Sequence, residues 1–92
     1  MREEEILKEL LRHGGVPLRP TTLVKLLNGK RVNSRWVPRR GEVIRVSWSL
    51  RRLESLGLVR RTGNLEVRPK YAPDLERIAS LLLSKGGGKW SA

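Results

Sequence analysis

The chain has 92 residues, which is enough for one domain with one modest core. Its 20 Lys and Arg residues against 9 Asp and Glu give a formal charge of +11, and this excess favours a polyanionic partner, above all nucleic acid. The absence of cysteine excludes disulfides and the usual structural zinc sites, and the short apolar runs argue against a membrane span.

The excess positive charge lies in the middle of the chain. Residues 1–30 hold six basic and four acidic residues (+2), residues 31–70 hold eleven and three (+8), and residues 71–92 hold three and two (+1). A basic run is often only a solvated surface, but an imbalance of this size favours a binding face within 31–70.

The first third of the chain predicts two helices joined by a short extended segment. Apolar residues at helical spacing predict a first helix over Glu3–His13. Val16–Leu18 contains a proline and predicts a small edge strand. Pro20 suits the first turn of a second helix, which ends at Asn28-Gly29 and turns Leu23, Leu26 and Leu27 inward.

The central segment predicts an inserted loop followed by a third helix. Residues 30–41 follow no single period, and we interpret them as an inserted basic loop. Over 42–56 the inward positions recur at steps of three or four, and they are Val43, Val46, Leu50 and Leu53. The opposite arc is basic and aromatic and holds Ile44, Arg45, Trp48, Arg51, Arg52 and Ser55.

A β-hairpin is predicted over 58–69, after Gly57 ends the third helix. Its turn is expected around Thr62-Gly63-Asn64, which sets Val59 opposite Val67 and Arg60 opposite Glu66.

A final helix is predicted over 74–85. Asp74 caps it, and it carries a broad apolar stripe of Leu75, Ile78, Ala79, Leu82 and Leu83. Gly86 is expected to end the helix, which leaves residues 86–92 as a flexible tail behind a domain of residues 1–85. Because one helix rarely buries so wide an apolar arc in a small domain, we also state the hypothesis of a homodimer through 74–85.

The stretch VSWSLRRLESLGLVRR over 46–61 carries a family resemblance. With its glycine before Leu58-Val59 and a basic pair, it resembles the recognition helix and first wing strand of winged helix-turn-helix regulators, particularly compact archaeal and bacterial ones and those of archaeal viruses. The resemblance implies a mainly helical α+β fold with a three-helix core, a short strand, a β-hairpin wing and an extra C-terminal helix. The inserted loop departs from the family pattern, in which a tight turn usually joins the second and third helices. The arginine bias and the lack of glutamine are compatible with a thermophilic source.

The resemblance implies a transcriptional regulator, or a small chromatin-type protein, that binds duplex DNA. Helix 42–56 would enter the major groove and wing 58–69 would contact the backbone. Arg51 and Arg52 are the candidates for base contact, because a guanidinium can bind a guanine edge at two points. Trp48 has two interpretations, contact with a sugar or thymine methyl, or cover for Trp36 and the inserted loop. The predicted DNA-binding residues are Arg35, Arg39, Arg40, Arg45, Ser47, Trp48, Arg51, Arg52, Arg60 and Arg61.

Two alternatives remain open beside DNA binding. The same basic face suits folded RNA, as in a ribosome-associated protein, or an acidic protein partner within a larger complex. An enzyme is not expected, because the acids are scattered and His13, the only histidine, lies at a helix end as a capping or surface residue. No cofactor and no metal are predicted, and since no signal-peptide pattern precedes Glu3 we expect a soluble, cytoplasmic protein.

Overall fold

The computed structural model describes the backbone of residues 3–64 and 68–90, and the side chains of residues 3–63 and 69–83. The described chain is mainly helical α+β, which confirms that level of the predicted fold class, and its arrangement is compatible with a winged helix. Its elements are α1 (Glu3–Arg12), α2 (Pro20–Leu27), α3 (Arg40–Ser55), β1 (Val59–Asn64), β2 (Arg68–Pro73) and α4 (Leu75–Trp90).

The core lies where α1, α2 and α3 meet the hairpin. Its buried members come from every one of these elements, and they are Ile6, Leu10, Leu23, Val24, Val46, Leu50, Leu53, Val59 and Tyr71. The inward arc predicted for α3 is confirmed at Val46, Leu50 and Leu53. In α2 the second fully buried residue is Val24, whereas Leu26 and Leu27 are only half-buried. Because α3 is held by this arc, its opposite arc must face outward.

The short strand predicted before α2 is reduced to a single antiparallel bridge at Leu18. The amide of Leu18 donates to the carbonyl of Tyr71 at 2.8 Å, and the amide of Tyr71 donates back to Leu18 at 2.8 Å. This bridge joins the segment before α2 to β2. The hairpin is thereby anchored to the helices on both of its strands, since β1 follows directly from α3.

The predicted hairpin register is wrong. Val59 pairs with Pro73 rather than Val67, and Arg60 pairs with Ala72 rather than Glu66. The ladder continues to Asn64 opposite Arg68, so the connection falls at residues 65–67, which lie outside the described residues. Residues 62–64, which were predicted to form the turn, therefore belong to β1.

Two helix boundaries also differ from the prediction. Helix α3 begins at Arg40, two residues before the predicted start. Helix α4 continues past Gly86 to Trp90, so the glycines that were expected to stop it do not do so. Mobility of the 86–92 segment stays a prediction, and residues 91 and 92 lie outside the described residues.

Candidate nucleic-acid interface

Helix α3 presents one continuous exposed row of side chains opposite its buried arc. Successive members are four, four, three and four positions apart, so they lie next to one another on the helix surface: Arg40, Ile44, Trp48, Arg51 and Ser55. Trp48 is 66% exposed at the middle of the row. Arg45 and Arg52, also exposed, flank it on the side of α1. We call these seven residues the outer face of α3.

Two of the predicted arginines form ion pairs that fix their direction. The Nε of Arg52 lies 3.3 Å from Oε1 of Glu3, which ties it toward the start of α1. The Nε of Arg61 lies 3.4 Å from Oε2 of Glu54, which ties β1 to the last turns of α3. Arg45 and Arg51 form no ion pair within residues 3–63 and 69–83. Among the described side chains, no carboxylate competes with an incoming anion for their guanidinium groups.

Arg60 and Arg61, both predicted to contact DNA, lie near the start of β1, opposite Ala72 and Tyr71. The hairpin tip lies beyond Asn64, and successive strand residues point to opposite sides of the sheet. Arg61 faces α3, whereas Arg60 lines a recess of about 400 Å³ with Gly14, Gly15, Pro73, Asp74, Leu75 and Glu76. Arg60 and Arg61 therefore lie on two different surfaces of the domain.

Ser47 and Trp48 are neighbours in sequence but differ in what they can contact. The hydroxyl of Ser47 donates to the carbonyl of Val43 at 2.8 Å and is half-buried, so Ser47 sits at the border of the core rather than on the outer face. Trp36, by contrast with exposed Trp48, packs against the core. Its ring lies under Lys30, whose Nζ is 5.9 Å from the ring centroid. Trp48 thus remains available to a partner.

The segment 28–39 between α2 and α3, which we call the insertion, is held in place by side chains of the domain. The Nζ of Lys25 donates to the carbonyls of Val32 at 3.3 Å and Ser34 at 3.1 Å. The Nδ2 of Asn28 donates to Oε2 of Glu42 at 3.0 Å. The predicted arginines of this region, Arg35, Arg39 and Arg40, are all exposed.

Sequence reasoning missed two lysines that belong to this region. Lys25 is not among the predicted binding residues, although a cation in the last turn of α2, just before a long loop, could have been recognised as a possible anchor for that loop. Lys70 is exposed on β2 opposite Thr62 and was left out because the hairpin was predicted to end at Pro69. With the observed register it joins the basic surface of the hairpin.

His13 lies at the end of α1, as predicted, and contacts a carboxylate of that helix. Its Nε2 is 3.0 Å from Oε2 of Glu9, a carboxylate that is almost fully buried in α1. Arg12 also contacts Glu9, with 3.5 Å between Nη1 and Oε1. Across the described residues, the structure groups no three His, Cys, Asp or Glu side chains that could hold a metal ion. Nor is any helix within 3–90 both long and apolar enough to cross a bilayer.

The fold and the site together define a small α+β domain, compatible with a winged helix, whose third helix exposes a basic and aromatic face. Comparison with known protein families, with curated proteins and with solved structures returned no match.

Proposed function

We propose that this protein is a winged-helix nucleic-acid-binding protein that binds duplex DNA and regulates transcription. The observation that carries the proposal is the outer face of α3. Arg45, Trp48 and Arg51 are exposed on a helix whose other side is locked into the core by Val46 and Leu50. An exposed helix of this kind fits the major groove, where arginine can read a guanine edge or bind a phosphate.

The charge balance around the outer face supports a polyanionic partner. Residues 31–61 contain nine Arg and two acidic residues, Glu42 and Glu54. Both carboxylates are engaged within the domain, the first by Asn28 and the second by Arg61. Little negative charge is left to oppose an approaching phosphate backbone.

Selection of bound sequences from a random duplex pool tests the proposal. We expect an enriched sequence and a logarithmic salt slope of about −4 to −6, which corresponds to about four to seven phosphate contacts. Competition between duplex DNA and structured RNA separates DNA binding from RNA binding, because the latter predicts that RNA displaces DNA. Absence of affinity for either polymer at moderate salt would favour an acidic protein partner instead.

We further propose that two copies associate through α4. Leu75, Leu82 and Leu83 are 53%, 66% and 74% exposed, so the apolar stripe on this helix is largely uncovered in one copy. A groove of about 270 Å³ beside it is lined by Leu7, Leu58, Ile78, Leu81 and Leu82. The same apolar stripe on a second molecule can cover both the exposed leucines and the groove.

A further inference from the structure

The insertion at 28–39 is densely basic. It contains four cations, Lys30, Arg31, Arg35 and Arg39, and no acidic residue, and a fifth cation, Arg40, follows directly at the start of α3. All five are exposed. A loop of this composition would repel itself in the absence of other contacts, so the contacts that hold it in place matter.

Three independent contacts fix the insertion before any partner arrives. Lys25 donates to two carbonyls within it, at Val32 and Ser34. Asn28 links its start to Glu42 of α3, and Trp36 packs its middle against the core. Because the segment is ordered by folding, a partner that binds it does not have to order it, and this favours affinity.

The insertion is continuous with the outer face of α3. Arg39 of the insertion and Arg45 of α3 line the same shallow recess, of about 290 Å³, together with Gly41 and Glu42. The carboxylate of Glu42 is the one acid in this lining, and it accepts the hydrogen bond from Asn28. A row of cations therefore runs from the insertion onto the helix.

The insertion and the hairpin lie at opposite ends of α3. Asn28 meets the helix at Glu42, and Arg61 meets it at Glu54. Twelve residues separate these points, which is about 18 Å along a helix axis. The major groove of B-form DNA is about 12 Å wide. Where α3 crosses the groove at an angle, its two ends therefore lie near the two phosphate backbones that border the groove.

We propose that the insertion is a second, pre-organised phosphate-binding surface, which contacts the backbone at one edge of the major groove while the hairpin faces the other edge. Arg31, Arg35 and Arg39 bind phosphates, and Lys25 is the positioning residue that holds them in place. This inference rests on the proposed binding of duplex DNA by α3.

A charge-matched pair of triple variants tests the phosphate contacts. One replaces Arg31, Arg35 and Arg39 by Ala, and the control replaces Lys8, Arg12 and Arg19 by Ala, which removes three exposed cations from α1 and the segment after it. Affinity for a 30-base-pair duplex is measured by fluorescence anisotropy between 50 and 200 mM salt. We expect the insertion variant to reduce the magnitude of the salt slope by about 2 to 3, and the control by less than 1.

A second pair of variants tests the positioning role of Lys25. Lys25→Gln and Lys8→Gln each remove one charge, but only the first removes the bonds to Val32 and Ser34. We expect Lys25→Gln to weaken duplex binding about 3- to 10-fold more than Lys8→Gln. It should also accelerate trypsin cleavage after Arg31 and Arg35 in the free protein, and added duplex should protect these sites in the parent.

The outcomes separate this inference from the proposed function. If Arg51→Ala weakens binding while the insertion variant keeps the parental salt slope, the insertion is not a phosphate-binding surface but α3 still binds DNA. If the insertion variant loses slope but Lys25→Gln changes neither affinity nor cleavage, the assignment of Lys25 is wrong. If the parent does not bind the duplex, both proposals fail together.

Discussion

At the residue scale, the two adjacent arginines of α3 have different surroundings. Arg52 is drawn toward α1 by Glu3, whereas Arg51 lies in the exposed row beside Trp48 and has no ion pair among the described side chains. An exposed pair such as Arg52 with Glu3 contributes only about 0–1 kcal/mol, so a phosphate can compete for Arg52. The position of Arg51 suits contact with base edges.

Arg51→Ala is therefore expected to cost about 1–3 kcal/mol of binding free energy and to relax sequence preference at one position. Arg52→Ala should weaken binding to all sequences by a similar factor. Titration of a selected duplex and of single-base variants by anisotropy measures both effects. Arg12→Ala on α1 serves as the control for loss of one charge. If both α3 variants bind with the affinity and sequence preference of the parent, Arg51 and Arg52 are not part of the interface.

Gly57 shows a second constraint that acts at one residue. It ends α3 with a φ of +78°, and a Cβ there would lie 3.3 Å from Nε of Arg77 on α4. Gly41 in the first turn of α3 has helical backbone and open space around its Cα. Replacement by alanine is therefore expected to change the stability of the fold in opposite directions at these two glycines, one at each end of α3.

We expect Gly57→Ala to lower the free energy of unfolding by about 1–2 kcal/mol, since the left-handed conformation is costly for a residue with a Cβ. Gly41→Ala should raise it by up to about 1 kcal/mol. Urea unfolding monitored by circular dichroism gives both values. A Gly57→Ala protein as stable as the parent would show that the C-terminal end of α3 is not held as described.

At the element scale, the outer face of α3 exists because its other face is buried. Leu50 is fully buried, whereas Ile44 on the same helix is 40% exposed. Leu50→Ala should destabilise the fold by about 2–5 kcal/mol, because it removes apolar contact and leaves a cavity. Ile44→Ala should cost much less, and urea unfolding of the two variants side by side measures the difference. Equal losses would contradict the orientation of α3 on which the proposed interface depends.

The helices could be predicted from the sequence because their apolar periodicity is a local property. Val46, Leu50 and Leu53 recur at helical spacing and are indeed the residues that α3 buries. The exposed face of α3 followed from that pattern alone. Partners such as Glu3 for Arg52 could not be predicted in the same way, because they depend on how α1 packs beside α3.

The hairpin could be predicted as an element but not in register. Matching side chains across strands favoured Val67 opposite Val59, yet the observed partner is Pro73, six residues further on. The even shift keeps each residue of the strand on its own face. What fixes the register is long-range, since Tyr71 enters the core and its backbone bonds to Leu18. A pattern of neighbouring residues in the sequence cannot reveal either of these long-range contacts.

At the scale of the whole molecule, α4 carries the apolar stripe through which we propose that two copies associate. The described chain measures 51 × 28 × 21 Å, and the described side chains through which α4 approaches the rest of the domain include Leu75 near Gly15 and Arg77 over Gly57. A two-fold axis through its apolar stripe would bury the same residues on both copies. The two α3 helices would then meet one duplex at two half-sites, and a palindromic selected sequence would record this symmetry.

Dimerisation through α4 predicts a mass near twice 10.5 kDa by static light scattering across a concentration series. Leu82→Glu places a charge in the exposed apolar stripe, where desolvating it in an interface is costly, and should shift the mass to that of the monomer. Ser80→Glu introduces the same charge on the polar side of α4 and should leave the dimer intact, because Ser80 lies nearly opposite Leu75 and Leu82 on the helix. A parent protein that is monomeric at every concentration would exclude this interface. If both variants dissociate to the same extent, association depends on net charge rather than on the apolar stripe.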